Sequence, residues 1–156
     1  MELVHKMLYS ANSYSGIEMK EYVSKLAEGL IDSFGKDDGS IMTVIKFDPV
    51  VLDIDTAVPL GLILNELIVN SIKHGKPVGE RLTIIVEIEE NDTQVRIRIA
   101  DNGNGKADRV ESSGSFGLKI IQSLVRQLNG QMLITETGGL EYTILIKRNN
   151  FRNYET

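Results

Sequence analysis

Four polar side chains lie on one side of an otherwise apolar stretch between residues 60 and 75. The stretch reads L-G-L-I-L-N-E-L-I-V-N-S-I-K-H-G, and at about 100° per residue a helix gathers its polar members into a stripe roughly 100° wide. These members are Glu66, Asn70, Lys73 and His74. Carboxylate and amide oxygens suit Mg²⁺, and lysine and histidine can bind phosphate. The stripe favours the wall of a binding pocket; the alternative is the solvated edge of a surface helix.

A second polar group follows a strand of alternating apolar residues. The segment D-N-G-N-G covers residues 101 to 105, so it sets a carboxylate at the mouth of the sheet. There Asp101 can accept a hydrogen bond from a base or a sugar, while Gly103 and Gly105 let the backbone approach a flat ligand or bend as a hinge. The same residues also form ordinary turns. An EF-hand is excluded, because its ring of oxygen ligands and its terminal glutamate are missing.

A third group opens a helix with the sequence G-S-F-G-L at residues 114 to 118. Glycine-rich backbone that leads into a helix N-terminus offers unpaired N–H groups and a positive dipole to an anion. The alternative is a flexible loop in which Ser115 caps the helix. The segment is neither a P-loop nor a dinucleotide-binding fingerprint, because no G-x-x-x-x-G-K-[S/T] occurs and the glycines follow no strand directly.

The composition is that of one soluble globular domain. The chain has 156 residues, of which 25% are charged and 42% hydrophobic, enough for one domain with a core and too few for two ordinary ones. It has no cysteine, which excludes disulfides and thiolate metal ligands. The formal net charge of −5 argues against unspecific nucleic-acid binding. No run approaches the ~20 apolar residues that a membrane span requires.

Helical periodicity predicts the elements that carry these groups. The clearest helix begins at Glu18 and has a core stripe at the i, i+3, i+4 spacing, made of Met19, Tyr22, Val23, Leu26, Ala27, Leu30 and Phe34. In the helix of residues 60 to 75, the predicted core side consists of Leu60, Leu64, Leu67, Ile68 and Ile72. Asp55 or Thr56 can cap this helix, with Pro59 in its first turn. Two further helices are predicted at Leu3–Ala11 and Phe116–Leu128.

Alternating residues predict strands at Ile41–Phe47, Val50–Ile54, Leu82–Glu89, Gln94–Ala100, Met132–Thr137 and Tyr142–Lys147. A turn centred on residues 91 and 92 places Glu87 opposite Arg96, a pair worth ~0.2–1 kcal/mol. Helices do not alternate singly with strands, which argues against a doubly wound parallel sheet. The predicted fold class is therefore α+β: a two-layer sandwich whose mixed, mostly antiparallel sheet is covered on one face by helices.

The order of the three polar groups resembles the nucleotide-binding domain of the GHKL superfamily. A helix with E-x-x-x-N precedes a strand-end D-x-G-x-G and then a G-x-x-G-L helix start. The superfamily includes sensor histidine kinases, anti-sigma-factor kinases, type II topoisomerases, the Hsp90 chaperone and mismatch-repair ATPases. N-E-L-I-V-N-S-I-K-H looks like the N box of histidine kinases, and V-H-K-M-L-Y-S resembles the end of the dimerisation helices in HisKA_2-type kinases.

This resemblance implies a role for each polar group. Asn70 would coordinate the Mg²⁺ that bridges the phosphates of ATP, and Glu66 would take the place of a water-activating carboxylate or orient the metal site. Asp101 would accept a hydrogen bond from the exocyclic amine of adenine. Lys73 and His74 would contact phosphate or ribose. The resemblance assigns the remaining nucleotide contacts to Gly103, Gly105, Gly114, Phe116, Gly117 and Leu118.

The function implied is that of the ATP-binding catalytic domain of a cytoplasmic two-component sensor histidine kinase. Residues 1–16 would be a remnant of the dimerisation region, residues 17–150 the catalytic domain, and residues 151–156 a polar tail. The acceptor histidine would lie on a separate helical domain, because His5 and His74 are the only histidines and neither lies in an acceptor motif. The response regulator would be an indirect partner, and neither nucleic acid nor membrane contact is expected of this part.

Two alternatives stay open within the resemblance, and one residue departs from it. The alternatives are an anti-sigma-type serine kinase of the same fold and a nucleotide-binding interaction module without catalysis. The departure is Leu140, which follows Gly139 where many members place a threonine near adenine. One polar contact to the base would then be lost or supplied by water.

Overall fold

A computed structural model describes residues 16–34, 39–74, 81–105 and 116–147. The predicted helix at Leu3–Ala11 and the segments 1–15 and 148–156 lie outside the described residues. Along the chain the elements are β1 (Ile17–Glu18), α1 (Met19–Ser33), β2 (Ile41–Phe47), β3 (Val51–Leu52), α2 (Ile54–His74), β4 (Leu82–Glu90), β5 (Gln94–Asp101), α3 (Phe116–Gln127), β6 (Gln131–Glu136) and β7 (Leu140–Lys147).

Within the described residues, the main sheet has five strands in the order β2-β4-β5-β7-β6. Only β2 and β4 run parallel, and the other neighbours pair antiparallel. Strands β1 and β3 form a separate two-stranded antiparallel pair. The predicted α+β class with a mixed, mostly antiparallel sheet is therefore confirmed.

The core lies between one face of this sheet and the three helices of the described residues. Every second residue of β4, β5 and β7 is buried there, while α2 packs against both α1 and α3. The predicted core side of α2 is confirmed, since Leu60, Leu64, Leu67, Ile68 and Ile72 are all buried. Helix α2 is thus the central helix of the helical layer. Because it packs on several sides, its polar residues can lie only on the part of its surface that remains uncovered. None of the described helices is long and apolar enough to span a bilayer.

Helix α1 buries the predicted stripe except at its end, where Leu30 is partly buried and Phe34 is exposed. Met19, Tyr22 and Val23 are fully enclosed, but Phe34 is 36% exposed. The prediction that Phe34 belongs to the core was wrong because the helix ends at Ser33 and Phe34 is its C-cap. The Tyr22 hydroxyl is buried with no hydrogen-bond partner in the described structure, and it lies against Gly61 of α2.

Helix α2 begins earlier than predicted. Its first turn is capped by Asp53, whose Oδ1 accepts a hydrogen bond from the Thr56 N–H at 3.1 Å, so neither Asp55 nor Thr56 is the cap. The predicted strand over residues 50–54 shortens to Val51–Leu52 for the same reason, since Ile54 is already helical. Pro59 consequently lies in the second turn rather than the first.

The register of β4 and β5 differs from the prediction by two residues. Glu87 pairs with Arg98, and Glu89 pairs with Arg96. The side chain of Asn91 explains the shift, because its Oδ1 accepts from the N–H groups of both Thr93 and Gln94 at 2.9 Å. The centre of the turn therefore lies one position later than predicted, between Asp92 and Thr93. A shift of two residues keeps every side chain on its predicted face.

The outer face of the sheet carries a cluster of three charges. Arg98 donates through Nη1 to Glu87 at 3.2 Å and through Nε to Glu141. Partial burial lowers the pKa of the Arg98 guanidinium, but hydrogen bonds and charges from Glu141 and Glu87 outweigh it and raise that pKa above its ordinary value. We call these three residues the Arg98 cluster.

Candidate functional site

Asp101, at the end of β5, is held by donors from three elements. Its Oδ1 accepts the Gly103 N–H at 2.9 Å and the Leu140 N–H at 3.3 Å. Its Oδ2 accepts the Ser71 hydroxyl of α2 at 2.8 Å. An ionised carboxylate offers about four acceptor positions, so these three donors leave about one, on Oδ2. We call Asp101 with these donors the Asp101 cluster.

The turn between β6 and β7 comes into close contact with this strand end. Gly139 has φ 153°, and a Cβ at this position would clash with the carbonyl oxygen of Asp101. Only glycine therefore lets the turn reach the strand end. This approach also brings the Leu140 N–H within reach of the carboxylate.

Leu140 serves the cluster through its backbone rather than its side chain. The side chain is buried and packs against Gly105, where an added Cβ would lie 2.5 Å from Leu140 Cδ1. At the position where a threonine was expected, the leucine thus supplies apolar contact to the loop after β5 while its N–H still binds Asp101.

Asn102 fastens the end of β5 to the start of β4. Its Oδ1 accepts the Thr83 N–H at 2.8 Å, and its Nδ2 donates to the Arg81 carbonyl at 3.0 Å. The amide side chain thereby continues the backbone ladder past the last strand residue. Asn102 is a structural residue, and it fixes the position of the neighbouring Asp101 at the end of the strand.

Glu66 and Asn70 lie one turn apart on α2, both half-buried. Glu66 faces the start of α3, since a Cβ at Gly117 would lie 3.2 Å from Glu66 Oε2. Helix α3 has no acidic residue in its own first turn, so Glu66 brings a negative charge to the positive end of its dipole. The structure therefore brings the polar stripe of α2 next to the G-S-F-G-L segment that begins α3.

The remaining predicted site residues are less closely gathered. Lys73 is exposed and its Nζ lies 5.7 Å from the centroid of the Phe34 ring, which places it beside the end of α1. Leu118 is buried in α3. Gly114 lies outside the described residues, and so do the side chains of His74 and Phe116, whose backbones end α2 and begin α3.

The negative charge of Asp101 acts on a buried tyrosine of the core. Tyr142 of β7 is 2% exposed, and burial together with the negative charge of Asp101 raises its pKa to about 12. Among the described residues, no three histidine, cysteine, aspartate or glutamate side chains come close enough together to hold a metal ion. A metal here would depend on a phosphate ligand for most of its coordination.

Sequence reasoning missed Ser71, although a signal was present. At about 100° per residue, Ser71 falls in the middle of the apolar side of α2, between Leu67 and Ile68. A hydroxyl in that place is buried, as its 4% exposure confirms, and a buried hydroxyl requires a partner. The partner is Asp101.

Comparisons with known proteins identify the family to which the chain is similar. The sequence pattern of the family described as histidine kinase-, DNA gyrase B- and HSP90-like ATPases matches residues 55–150. The chain is 24% identical over 127 residues to blue-light-activated histidine kinase 2 of Erythrobacter litoralis, a match that covers 78% of this chain and 36% of the relative. It is 33% identical over 89 residues to the signal transduction histidine-protein kinase/phosphatase DegS of Brevibacillus brevis, covering 57% of this chain and 22% of the relative.

A solved structure shows the same fold. The histidine kinase domain of a blue-light activated kinase from Erythrobacter litoralis superposes with a TM-score of 0.78 at 21% identity, covering 93% of this chain and 70% of that one. The chain spans 36% and 22% of the length of the two curated relatives above. The signals, substrates and partners of those longer proteins are properties of those proteins and are not assigned to this chain.

Proposed function

The chain belongs to the family of histidine kinase-, DNA gyrase B- and HSP90-like ATPases, and from this premise we propose that it is the ATP-binding catalytic domain of a two-component sensor histidine kinase. The observation that carries the proposal is the Asp101 cluster. Its carboxylate is fixed by three protein donors and retains an acceptor position. The relatives named as histidine kinases support this member of the family over the others.

At the base end, Asp101 would accept a hydrogen bond from the exocyclic amine of adenine. The donors that hold Asp101 are neutral, so its negative charge remains available to a donor on the ligand. Gly103 and Gly105 would form the adjacent wall, with the Leu140 side chain packed behind Gly105.

At the phosphate end, Asn70 would hold Mg²⁺, and the ion supplies charge neutralisation to the phosphates when it is bound. Glu66, next to the start of α3, would orient the metal site. Lys73 is exposed and on a long flexible stem, so it can turn from Phe34 toward a phosphate. The other predicted phosphate contacts are His74, Gly114, Phe116, Gly117 and Leu118.

The acceptor of the γ-phosphoryl group would be a histidine on a separate helical domain of the same kinase. A response regulator would then receive the phosphoryl group from that histidine, and so be an indirect partner. We place the domain in the cytoplasm, where ATP is available to it.

Calorimetric titration with ADP and a non-hydrolysable ATP analogue, with and without Mg²⁺, tests the site. We expect micromolar binding that strengthens with Mg²⁺. Asn70→Ala should abolish the strengthening by Mg²⁺ while it changes the metal-free affinity for ADP less than threefold, since it removes a ligand of the metal and not of the base. Asn65→Ala is the matched control, because Asn65 lies about 140° away around the same helix.

Two outcomes would overturn parts of the proposal. No nucleotide binding in either condition would exclude the ATP site. An Asn70→Ala protein that keeps the full effect of Mg²⁺ would exclude Asn70 as the metal ligand. Incubation with labelled ATP and an acceptor-helix domain then tests catalysis: acid-labile phosphohistidine supports the kinase, acid-stable phosphoserine on a partner protein supports the serine kinase, and no product supports a binding module.

A further inference from the structure

Ser71 stands out among the residues that no motif assigned. It is 4% exposed, and its hydroxyl donates to Asp101 Oδ2 at 2.8 Å. A serine inside a helix commonly donates to the carbonyl four residues earlier, and here the hydroxyl reaches across to another element instead. The bond joins α2 to the end of β5 over 30 positions in the sequence.

From this bond we infer that Ser71 is a positioning residue that fixes the Asp101 carboxylate and thereby sets the preference for adenine over a 6-oxopurine. The inference rests on the proposed function, because it concerns the same nucleotide site. It adds Ser71, which no motif of the site assigned, and it gives this residue a role in the choice between purine bases.

The first step concerns rotation of the carboxylate. Both backbone donors, from Gly103 and Leu140, bind Oδ1. A carboxylate held at one oxygen only can still turn its other oxygen about that anchor. The Ser71 hydroxyl binds this second oxygen, so the plane of the group is set before a ligand arrives. Such preorganisation raises affinity because the ligand need not order the group itself.

The second step concerns the single proton of the hydroxyl. Serine has one O–H donor and two acceptor lone pairs. Since the proton is directed to Asp101, the pair Ser71–Asp101 presents only acceptors to the base. Adenine offers an amine donor at position 6 of the ring, whereas hypoxanthine and guanine offer a carbonyl acceptor there. The pair therefore attracts the amine and repels the carbonyl.

Two substitutions of the same shape isolate the hydroxyl. Ser71→Thr keeps the O–H, and Ser71→Val replaces it by a methyl group in an otherwise equal branched side chain. Affinities for ADP and for inosine diphosphate are measured by displacement of a trinitrophenyl-ATP probe. Ser24→Ala is the control, because the Ser24 hydroxyl serves only α1, where it donates to the Lys20 carbonyl at 2.7 Å.

We expect Ser71→Thr and Ser24→Ala to bind ADP within twofold of wild type. Ser71→Val should weaken ADP binding roughly tenfold, the effect of one lost hydrogen bond to a charged group, and should leave inosine diphosphate binding within twofold. The ratio of the two affinities, which a general loss of packing would not change, should fall with the ADP affinity.

The contrary outcomes are distinct. ADP binding by Ser71→Val at the wild-type level, or an equal loss for both nucleotides, overturns the inference and leaves the proposed function intact. A Ser71→Thr protein as weak as Ser71→Val also overturns it. Binding of neither nucleotide by the wild type overturns the proposed function and the inference together. Thermal unfolding of both variants shows whether their folds match that of the wild type.

Discussion

Strand β5 carries two half-buried charged groups three residues apart, and they differ in what surrounds them. Arg98 faces the outer side of the sheet and is shared by two carboxylates, Glu87 and Glu141. Asp101, at the strand end, has three neutral donors and, within the described ranges, no opposite charge among its hydrogen-bond partners. The first group is paired with opposite charges, whereas the second keeps its negative charge. Burial raises the pKa of Tyr142 nearby, and the charge of Asp101 adds to this.

The comparison separates a structural polar cluster from the cluster that we propose binds the nucleotide. A ligand at the Arg98 cluster would first have to displace a carboxylate, and this costs the energy of a charged pair. A ligand at the Asp101 cluster would find a fixed acceptor with one position left. Both groups are charged and half-buried, so it is the kind and the number of their partners that distinguish the two places.

The largest expected effect follows from removing the charge of Asp101. Asp101→Asn should weaken ADP binding by roughly 100-fold, since a charged acceptor is lost and an amide N–H₂ can face the amine of adenine. Calorimetry measures the affinity. Asp92→Asn, in the exposed turn between β4 and β5, is the control and should bind as wild type does. ADP binding by Asp101→Asn within threefold of wild type would remove the basis of the comparison.

A smaller effect, of the opposite kind, is expected at the outer face. Arg98→Met should lower the free energy of unfolding by about 2 kcal/mol, because two part-buried carboxylates then lose their common partner and repel each other. Nucleotide affinity should stay within twofold. Urea denaturation and calorimetry measure the two quantities on the same protein.

The matched variant for Arg98 replaces the whole cluster. Combining Arg98→Met with Glu87→Leu and Glu141→Leu should recover most of the lost stability, since no charge is then left unpaired. A tenfold loss of ADP affinity in Arg98→Met would show that the outer cluster belongs to the site, and the distinction between the two clusters would fail.

The smallest effect concerns Tyr22, a third polar group that has neither a partner nor room for a ligand. Its hydroxyl is buried without a hydrogen bond in the described part of the chain. Tyr22→Phe should therefore raise the free energy of unfolding at pH 7 by about 1 kcal/mol, the cost of an unpaired buried hydroxyl. Nucleotide affinity should not change.

The same variant has a consequence for pH. Burial raises the pKa of Tyr22 from 10.0 to about 12, so above pH 10 the unfolded chain releases this proton before the folded protein does. Stability that is present below pH 10 is then lost as the pH rises toward 12, by about 1 kcal/mol at pH 11. Tyr22→Phe should lose correspondingly less between pH 9 and pH 11 in urea titrations. An equal loss in both proteins would contradict the assignment to Tyr22.

The sequence was sufficient to predict the fold wherever an element has a clear hydrophobic periodicity. The core side of α2, the alternation in β4 and β5, and the arrangement of a sheet under helices all follow from residue spacing. The register of β4 and β5 did not, because the side chain of Asn91 binds two backbone N–H groups and the centre of the turn lies one residue later than predicted. Phe34 fits the period of α1, but the helix ends one residue before it.

Prediction of the site was limited in a different way. Asp101 and Glu66 could be named from their motifs. In the structure, Asp101 contacts α2 through Ser71, and Glu66 lies beside the start of α3, which the third motif opens. The donors that hold Asp101 could not be read in the same way, since one is a backbone N–H brought in by a distant turn and another is a lone hydroxyl. Whether Asn70, Lys73 and His74 bind phosphate and metal stays a prediction.

The contact between Leu140 and Asp101 bears on how this domain can change by mutation. The donor is a main-chain N–H, which every amino acid except proline carries. The residue at position 140 can therefore drift among side chains that pack against Gly105 without loss of this donor, and a threonine there is one solution among several. By contrast, a single base change in the codon for Ser71 can remove its hydroxyl. The same carboxylate therefore has main-chain donors that tolerate mutation and one side-chain donor that does not.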